Sequence, residues 1–323
     1  MRAARFHRFG SPEVLQFDTV PWPFPARDEV LIRVAASSVN GTDLRLRAGG
    51  LGLIGASQLP FTPGFDVSGE VVDIGPQVTA FRPGDRVYAL LGHRGGGAAE
   101  DVIVSQRRVA IAPTQVPLVE AAAVPLSGLT ALQALRGPVR VGRGTRVLVY
   151  GAAGGIGAFA VRLARLFGAH VTGVARPEKL AYVEALGADA ARSSAEVSLE
   201  TTDERWDVIL DTPPALRFHE ARQALTAHGV LVSTRPFPST PSELLGALRS
   251  TGPRFAAVRT AERGLDLAFL TRLIDSGELT IPLDRLFSLE QIREAHAYLE
   301  GPDVRGKVVV TVSGDQESGL RRG

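Results

Sequence analysis

The 323-residue chain contains no cysteine. This absence excludes disulfides, a thiol nucleophile and any metal site built on thiolate ligands. Basic runs are also missing and the net charge is only +2, so we expect no nucleic-acid partner. The uncharged stretch Val147–Val161 is glycine-rich and too short to cross a bilayer, so we expect no membrane partner. No apolar core follows the basic first residues, which predicts a cytoplasmic protein.

The residues that are present are typical of a globular protein, with 45% hydrophobic and 22% charged residues. Short alternating runs such as Glu29–Ala35 fill the first third of the chain and predict a small β-barrel-like domain. Helical and strand patterns then alternate, which predicts a doubly wound parallel sheet. We therefore predict an α/β protein with a cleft between a discontinuous domain, 1–116 and 280–323, and a second domain, 117–279.

Periodicity and turn signals predict the individual segments. Helices are predicted over Pro117–Gly137, Ala215–Ala227, Gly264–Ser276 and Ser288–Glu300. Strands are predicted over His170–Ala175, Trp206–Asp211, Phe255–Thr260 and Lys307–Val312, a loop over Arg235–Pro241, and a fraying polar tail over Asp315–Gly323.

The stretch Arg146–Gly168 has the order strand, glycine-rich turn, helix. A dinucleotide pyrophosphate needs backbone N–H groups and the positive end of a helix dipole, which this order supplies. Ala152 stands at the first glycine of the G-x-G-x-x-G pattern, Gly154 allows close approach, and Gly157 packs the helix on the strand. The predicted site comprises Ala152, Gly154, Gly155, Ile156 and Gly157. A glycine-rich turn without a ligand is the alternative.

The charge after the second strand indicates which dinucleotide binds. NAD sites usually carry an acidic residue there, whereas this chain has Arg176, with Lys179 one turn later. A guanidinium and an ammonium would bind a 2′-phosphate, so we predict NADPH rather than NADH. Glu178 could still reach a ribose, and Lys179 could be a solvated surface residue. Asp211 and Ser233, near the ends of two later strands, complete the predicted cofactor-binding set.

Several short motifs span nearly the whole chain. They are NGTD from Asn40, PGFDVSG from Pro63, GDRV from Gly84, AAAVP from Ala121, LTA from Leu129, LGAD from Leu186 and GKVV from Gly306, together with the turn Ala152–Gly157. Taken together, these motifs make the chain resemble the zinc-free branch of the medium-chain dehydrogenase/reductase superfamily, the zeta-crystallin-like quinone oxidoreductases. The resemblance implies a GroES-like catalytic domain, a Rossmann cofactor domain and a homodimer, for which Phe255–Val258 offers an apolar edge strand.

The resemblance also implies that no catalytic metal is bound. Zinc-dependent relatives carry Cys and His where this chain has Asn40 and Phe65. Without zinc, the negative charge that develops on the acceptor must be spread by the acceptor itself. A quinone or an α,β-unsaturated carbonyl compound does so.

Asn40 and Thr130 are the predicted catalytic residues, and both are also predicted to contact the cofactor. The Asn40 amide could hold the substrate oxygen or the nicotinamide ribose, or could only shape a turn. By resemblance Thr130 lies under the nicotinamide, although its hydroxyl could instead bond back along its own helix. Asp43 is predicted to cap nearby backbone N–H groups rather than act as an acid.

Other polar residues are weaker candidates. His93 could relay a proton but is expected to be a solvated loop residue, and Arg45 and Arg47 could meet an acidic substrate. The chain departs from its relatives at Thr212–Pro214, where they usually have a glycine-rich turn. It also lacks the tyrosine that related enoyl-thioester reductases carry in the segment matching Gly49–Phe61.

Three functions remain open. The first is an NADPH-dependent reductase of quinones or enones. The second is a 2-enoyl thioester or polyketide-type enoyl reductase, and the third is a noncatalytic NADPH-binding or sensing protein. Turnover of bound NADPH by different acceptors distinguishes them.

Overall fold

The computed structural model describes residues 1–50, 58–235, 237–248 and 251–312. The predicted tail Asp315–Gly323 and part of the segment Gly49–Phe61 lie outside these ranges. The strands are β1 (Arg2–Phe6), β2 (Leu15–Thr19), β3 (Glu29–Val39), β4 (Asp66–Ile74), β5 (Arg86–Leu90), β6 (Asp101–Ser105), β7 (Val109–Ile111), β8 (Arg146–Tyr150), β9 (His170–Ala175), β10 (Ala190–Ser193), β11 (Trp206–Asp211), β12 (Leu225–Ser233), β13 (Arg254–Ala257), β14 (Leu283–Ser288) and β15 (Lys307–Thr311). The helices are α1 (Gly41–Arg47), α2 (Leu118–Ala121), α3 (Pro125–Arg136), α4 (Gly155–Leu166), α5 (Leu180–Ala185), α6 (Phe218–Ala221), α7 (Pro241–Leu248), α8 (Gly264–Asp275) and α9 (Ile292–Glu300).

A seven-stranded sheet contains strands from both ends of the described chain. Its order is β14-β15-β3-β4-β5-β7, with β6 paired to β3. The alternation of Val30, Ile32 and Val34 places these side chains together in one buried cluster, as expected for a strand with one face in the core. β15 pairs antiparallel with the end of β3, so residues 308–311 lie beside residues 36–39. The boundaries predicted for the two domains stay predictions.

A six-stranded sheet of order β10-β9-β8-β11-β12-β13 is parallel throughout. Val147 and Val149 pack in one core cluster and Leu148 in another, so β8 is buried on both faces. Gly168 ends α4 with φ +85°, a left-handed conformation that favours glycine. The doubly wound parallel sheet predicted from the sequence is confirmed.

Two predicted helices are wrong in extent. The segment predicted as one helix over Pro117–Gly137 is divided into α2 and α3, because Pro125 has no N–H to donate and instead starts the second helix. The predicted helix Ala215–Ala227 contains only the short α6 and a 3₁₀ turn, since Leu225 already pairs with Trp206 in the sheet.

Helix α7 was not predicted. Its N-terminus follows Thr240, whose hydroxyl accepts the N–H of Glu243 at 3.2 Å. A threonine three residues before a glutamate is a helix-start signal that sequence reasoning overlooked. Ser288 and Gln291 form a capping box at the start of the predicted helix Ser288–Glu300, where the N–H of Ser288 donates to Oε1 of Gln291 at 3.1 Å.

None of the helices in the described part of the chain is both long and apolar enough to cross a membrane.

Candidate active-site cleft

A cleft of about 750 Å³ is lined by residues of both sheets and of their connecting segments. One wall comes from α1 and the residue before it, Asn40, and the opposite wall from the glycine-rich turn and the start of α4. The segment that leads into β15 contacts both walls, because the N–H of Gly306 donates to the carbonyl of Ala153 at 2.9 Å and the Lys307 ammonium donates to Oδ1 of Asn40. The start of β15 therefore forms the floor between them.

The glycine-rich turn places its left-handed residue one position earlier than expected. Gly151 has φ +78°, and a Cβ there would lie 2.6 Å from the hydroxyl oxygen of Thr212. Gly151, rather than a residue at the position of Ala152, therefore makes the tight turn that the first glycine of the motif usually makes. A Cβ on Gly154 would meet nothing closer than 3.5 Å, which leaves open space at the N-terminus of the twelve-residue α4.

The next two glycines are needed for packing. A Cβ on Gly157 would lie 2.1 Å from the carbonyl oxygen of Gly151, which fits the predicted helix-on-strand role. A Cβ on Gly155 would lie 2.8 Å from Cδ of Lys307. Gly154, Gly155 and Ile156 line the cleft, whereas Ala152 and Gly157 lie behind it and shape the turn.

The far end of the cleft is cationic. Arg176 is exposed and lines it, as does Lys179, whose ammonium donates to the carbonyl of Val304 at 2.6 Å. Desolvation, and then the charge of Arg176, lower the pKa of Lys179. Among the described residues that line the cleft, none is Asp, Glu, His or Cys. Its charged side chains are thus all positive, which suits an anionic ligand.

The structure does not place Asp211 and Ser233 in the cleft lining. Both are buried, and the Asp211 carboxylate accepts the N–H groups of Ala215 and Leu216 and, at 3.2 Å, the hydroxyl of Ser233. Their polar atoms hold the loop that follows β11, and their direct contact with a cofactor stays a prediction. The neighbouring residues Thr212, Pro213, Pro214 and Thr234 line the cleft instead.

Asn40 lines the cleft, but its amide donors are used inside the protein. Its Nδ2 donates to the carboxylate of Asp66 at 2.8 Å and to Ser38, while its Oδ1 accepts from the Lys307 ammonium. The amide therefore has no free donor for a substrate oxygen in this arrangement. Asp43 accepts the N–H of Asn40 at 2.9 Å and that of Gly64 at 2.7 Å, which confirms the predicted capping role.

Asp66 and Lys307 form a buried ion pair that the sequence analysis did not identify. Their charged atoms are 3.5 Å apart, and the two side chains are 0% and 2% exposed. The Asp66 carboxylate also accepts from the N–H of Leu126 and the hydroxyl of Ser38. A sequence signal did exist, since Lys307 is one of only two lysines among 36 basic residues.

Thr130 lines the cleft, and its hydroxyl bonds to the carbonyl of Leu126 at 2.6 Å and to Thr260 at 2.7 Å. The hydroxyl thus bonds back along its own helix, the alternative that the sequence left open. His93 is exposed and outside the lining, as expected.

The two arginines of α1 have different surroundings. Arg45 is at the rim of the cleft, where it is exposed. Arg47 is buried and bonds to Gly10 and Glu300, so it cannot meet a substrate.

The residues present fit a phosphorylated dinucleotide. The open space over Gly154 lies at the N-terminus of α4, where backbone N–H groups bind phosphate, and Arg176 and Lys179 supply charge for a further phosphate. In the described ranges, His and carboxylate side chains come close enough to hold a metal only at the surface, at Glu200, His219 and Glu220.

Comparison with known proteins agrees with this geometry. Residues 26–114 match the family model of the alcohol dehydrogenase GroES-like domain, and residues 186–310 match that of zinc-binding dehydrogenases. The chloroplastic quinone oxidoreductase QR1 of Triphysaria versicolor is 31% identical over 322 residues, which cover 96% of this chain and 98% of the relative.

Two further proteins are similar over most of their length. The chloroplastic NADPH-dependent alkenal/one oxidoreductase of Arabidopsis thaliana is 31% identical over 96% of this chain and 79% of the relative. A solved structure of a quinone oxidoreductase from Coxiella burnetii has a TM-score of 0.88 and 30% identity, with 97% of this chain and 99% of that chain covered. These matches confirm the predicted GroES-like and Rossmann folds.

The buried carboxyl of Asp43 makes stability depend on pH. Burial raises its pKa from 3.8 to about 7, although the N–H groups of Gly64 and Asn40 oppose the rise. The folded state therefore favours the protonated form, and this contribution to stability is present below about pH 4 and is lost as the pH rises to about 7. The difference in the free energy of unfolding, wild type minus Asp43→Asn, should therefore decrease between about pH 4 and pH 7. Urea titrations at several pH values measure this difference.

The exposed Asp203 provides the control, because Asp203→Asn removes a carboxyl that makes no buried contact. The difference between the wild type and this variant should stay constant with pH. A difference for Asp43→Asn that rises or stays constant between about pH 4 and 7 would contradict the assignment.

Proposed function

Because the chain belongs to the quinone oxidoreductase family of the medium-chain dehydrogenase/reductase superfamily, we propose that it reduces quinones or α,β-unsaturated carbonyl compounds with NADPH. The observation that carries this proposal is the cleft, which joins a dinucleotide-type glycine turn to a cationic far end and has no metal-ligating side chain in its described lining. The names of the relatives, a quinone oxidoreductase and an NADPH-dependent alkenal/one oxidoreductase, support the same chemistry.

We propose that the glycine turn and the N-terminus of α4 hold the pyrophosphate, and that Arg176 and Lys179 hold the 2′-phosphate. When bound, the nicotinamide supplies a hydride to the acceptor. Thr130 and Asn40 form the wall beside which the nicotinamide ring would lie.

The acceptor class follows from the absence of metal ligands among the residues that line the cleft. Asn40 and Phe65 occupy the positions of the zinc-binding Cys and His of zinc-dependent relatives, and neither an amide nor a phenyl ring offers a thiolate or imidazole ligand. We propose that the enzyme needs no zinc, because a conjugated acceptor spreads the incoming charge over several atoms.

Stopped-flow oxidation of NADPH by quinones, enones and enoyl thioesters tests the function. We expect turnover with quinones or enones and slower turnover with a crotonyl thioester. Preferential turnover of the thioester would favour the enoyl reductase alternative. NADPH binding without oxidation by any acceptor would instead identify a noncatalytic binding protein.

Substitution of Arg176 tests the cofactor. We expect Arg176→Asp to raise the dissociation constant of NADPH roughly ten- to hundredfold and to change that of NADH little, since a hydrogen bond to a charged group is lost. Fluorescence titration with both nucleotides measures this. Arg140→Asp makes the same change of charge at an exposed residue outside the cleft lining and should leave both constants unchanged. Equal loss of NADH and NADPH affinity in Arg176→Asp would refute the assignment.

We also propose that two copies associate through the outer edge of the six-stranded sheet. β13 is its last strand, and α7, which packs beside β13, carries the exposed side chains of Leu244, Leu245 and Leu248. Exposed leucines next to an open strand edge are typical of an interface between chains.

The dimer proposal predicts the mass in solution. The wild type should have the mass of a dimer by light scattering, and the pair Leu244→Glu and Leu248→Glu should yield a monomer, because charges would be buried at the interface. Leu265→Glu, at a leucine that is 88% exposed on α8, should stay a dimer. A monomeric wild type would exclude the proposed association.

A further inference from the structure

Both lysines of the chain line the same cleft. The other 34 of its 36 basic residues are arginine, so lysine is used only at Lys179 and Lys307. Lys179 lies at the cationic far end, whereas Lys307 lies at the floor beside Asn40. A lysine carries a compact ammonium, while a guanidinium is larger and planar. The stem of Lys307 packs against Gly155, since a Cβ added to Gly155 would lie only 2.8 Å from Cδ of Lys307. The site therefore has little room for a group larger than an ammonium.

The contacts of Lys307 leave one of its hydrogen-bond donors available. An ammonium has three N–H donors. Among the described residues it has two acceptors, Oδ1 of Asn40 and, at 3.5 Å, Oδ2 of Asp66. Because Asn40 has no free donor, Lys307 offers a side-chain donor at this part of the cleft floor.

We propose that Lys307 is a catalytic residue whose free N–H contacts the acceptor's carbonyl oxygen and stabilises the negative charge that forms on it. This inference rests on the proposed function and deepens it. The acceptor gains two electrons and one proton as a hydride on carbon, its double bonds shift, and the oxygen becomes an anion. Lys307 donates a hydrogen bond to that anion, and water then supplies the second proton. The ammonium thus takes the charge-stabilising part that a metal has in zinc-dependent relatives.

Stability alone does not explain the ion pair. Replacing a buried pair by uncharged side chains is often neutral or stabilising, whereas removing one partner leaves an uncompensated buried charge. The double variant Asp66→Asn with Lys307→Met removes both charges, and the carboxamide oxygen that it introduces could still accept the N–H of Leu126. Its carboxamide nitrogen would face the Asn40 amide and the Ser38 hydroxyl, which donate to the carboxylate in the wild type, so its urea midpoint is needed to separate the loss of the charge from the loss of the fold.

The experiment compares acceptors that differ in their need for a stabilising cation. Lys307→Met and the double variant should each lose roughly hundredfold in kcat with a simple enone, whose enolate shares the charge between only one oxygen and one carbon. The loss with a quinone should be less than about tenfold, because the quinone spreads the charge itself. Urea midpoints should fall for Lys307→Met and recover in the double variant, and the NADPH dissociation constant should change less than about threefold in both.

Arg47→Met is the matched control, since it removes a second buried cation that lies outside the cleft lining. It should lower the urea midpoint and leave kcat unchanged for both acceptors. The role of Lys307 would be overturned by equal losses of kcat for enone and quinone. It would also be overturned by a double variant with wild-type kcat, or by an effect confined to the NADPH dissociation constant. If the double variant folds poorly, the enone-to-quinone ratio of Lys307→Met alone decides. Absence of turnover by the wild type would instead overturn the proposed function.

Discussion

The geometry of the cleft depends on the buried carboxylate of Asp66. It accepts from the backbone at the start of α3, from the Asn40 amide at the start of α1 and from Ser38 near the end of β3, and it lies beside Lys307 at the start of β15. A carboxylate without these partners would be costly to bury. Because all of these partners are bound by one carboxylate, the helices and strands that supply them keep fixed relative positions.

The glycine-rich turn meets two separate requirements. Space over Gly154 allows a phosphate to approach the backbone, while the missing side chain of Gly155 makes room for the stem of Lys307. The proposed nucleotide binding and the placement of the buried Lys307 side chain thus involve adjacent residues of one turn. The floor and the turn are joined again by the bond from Gly306 to Ala153.

Features with a strong local cause could be predicted from the sequence. The apolar run of β8, the amphipathic α4 and the glycine at its end follow from periodicity and backbone conformation alone. The capping role of Asp43 followed for the same reason. The direction of the Asn40 amide could not be predicted, because it is set by Asp66 and Lys307, which are distant in sequence. The use of both Asp211 oxygens by the loop that follows β11 could not be predicted either, because it depends on the path of that loop.

The late position of β15 in the chain has a consequence for biosynthesis. Synthesis proceeds from the N-terminus, so the glycine-rich turn is synthesised about 150 residues before Gly306 and Lys307. Until then the carboxylate of Asp66 lacks its cation and the turn lacks its bond from Gly306. The parallel sheet can therefore form during translation, whereas the cleft is assembled only after the last strand has been made.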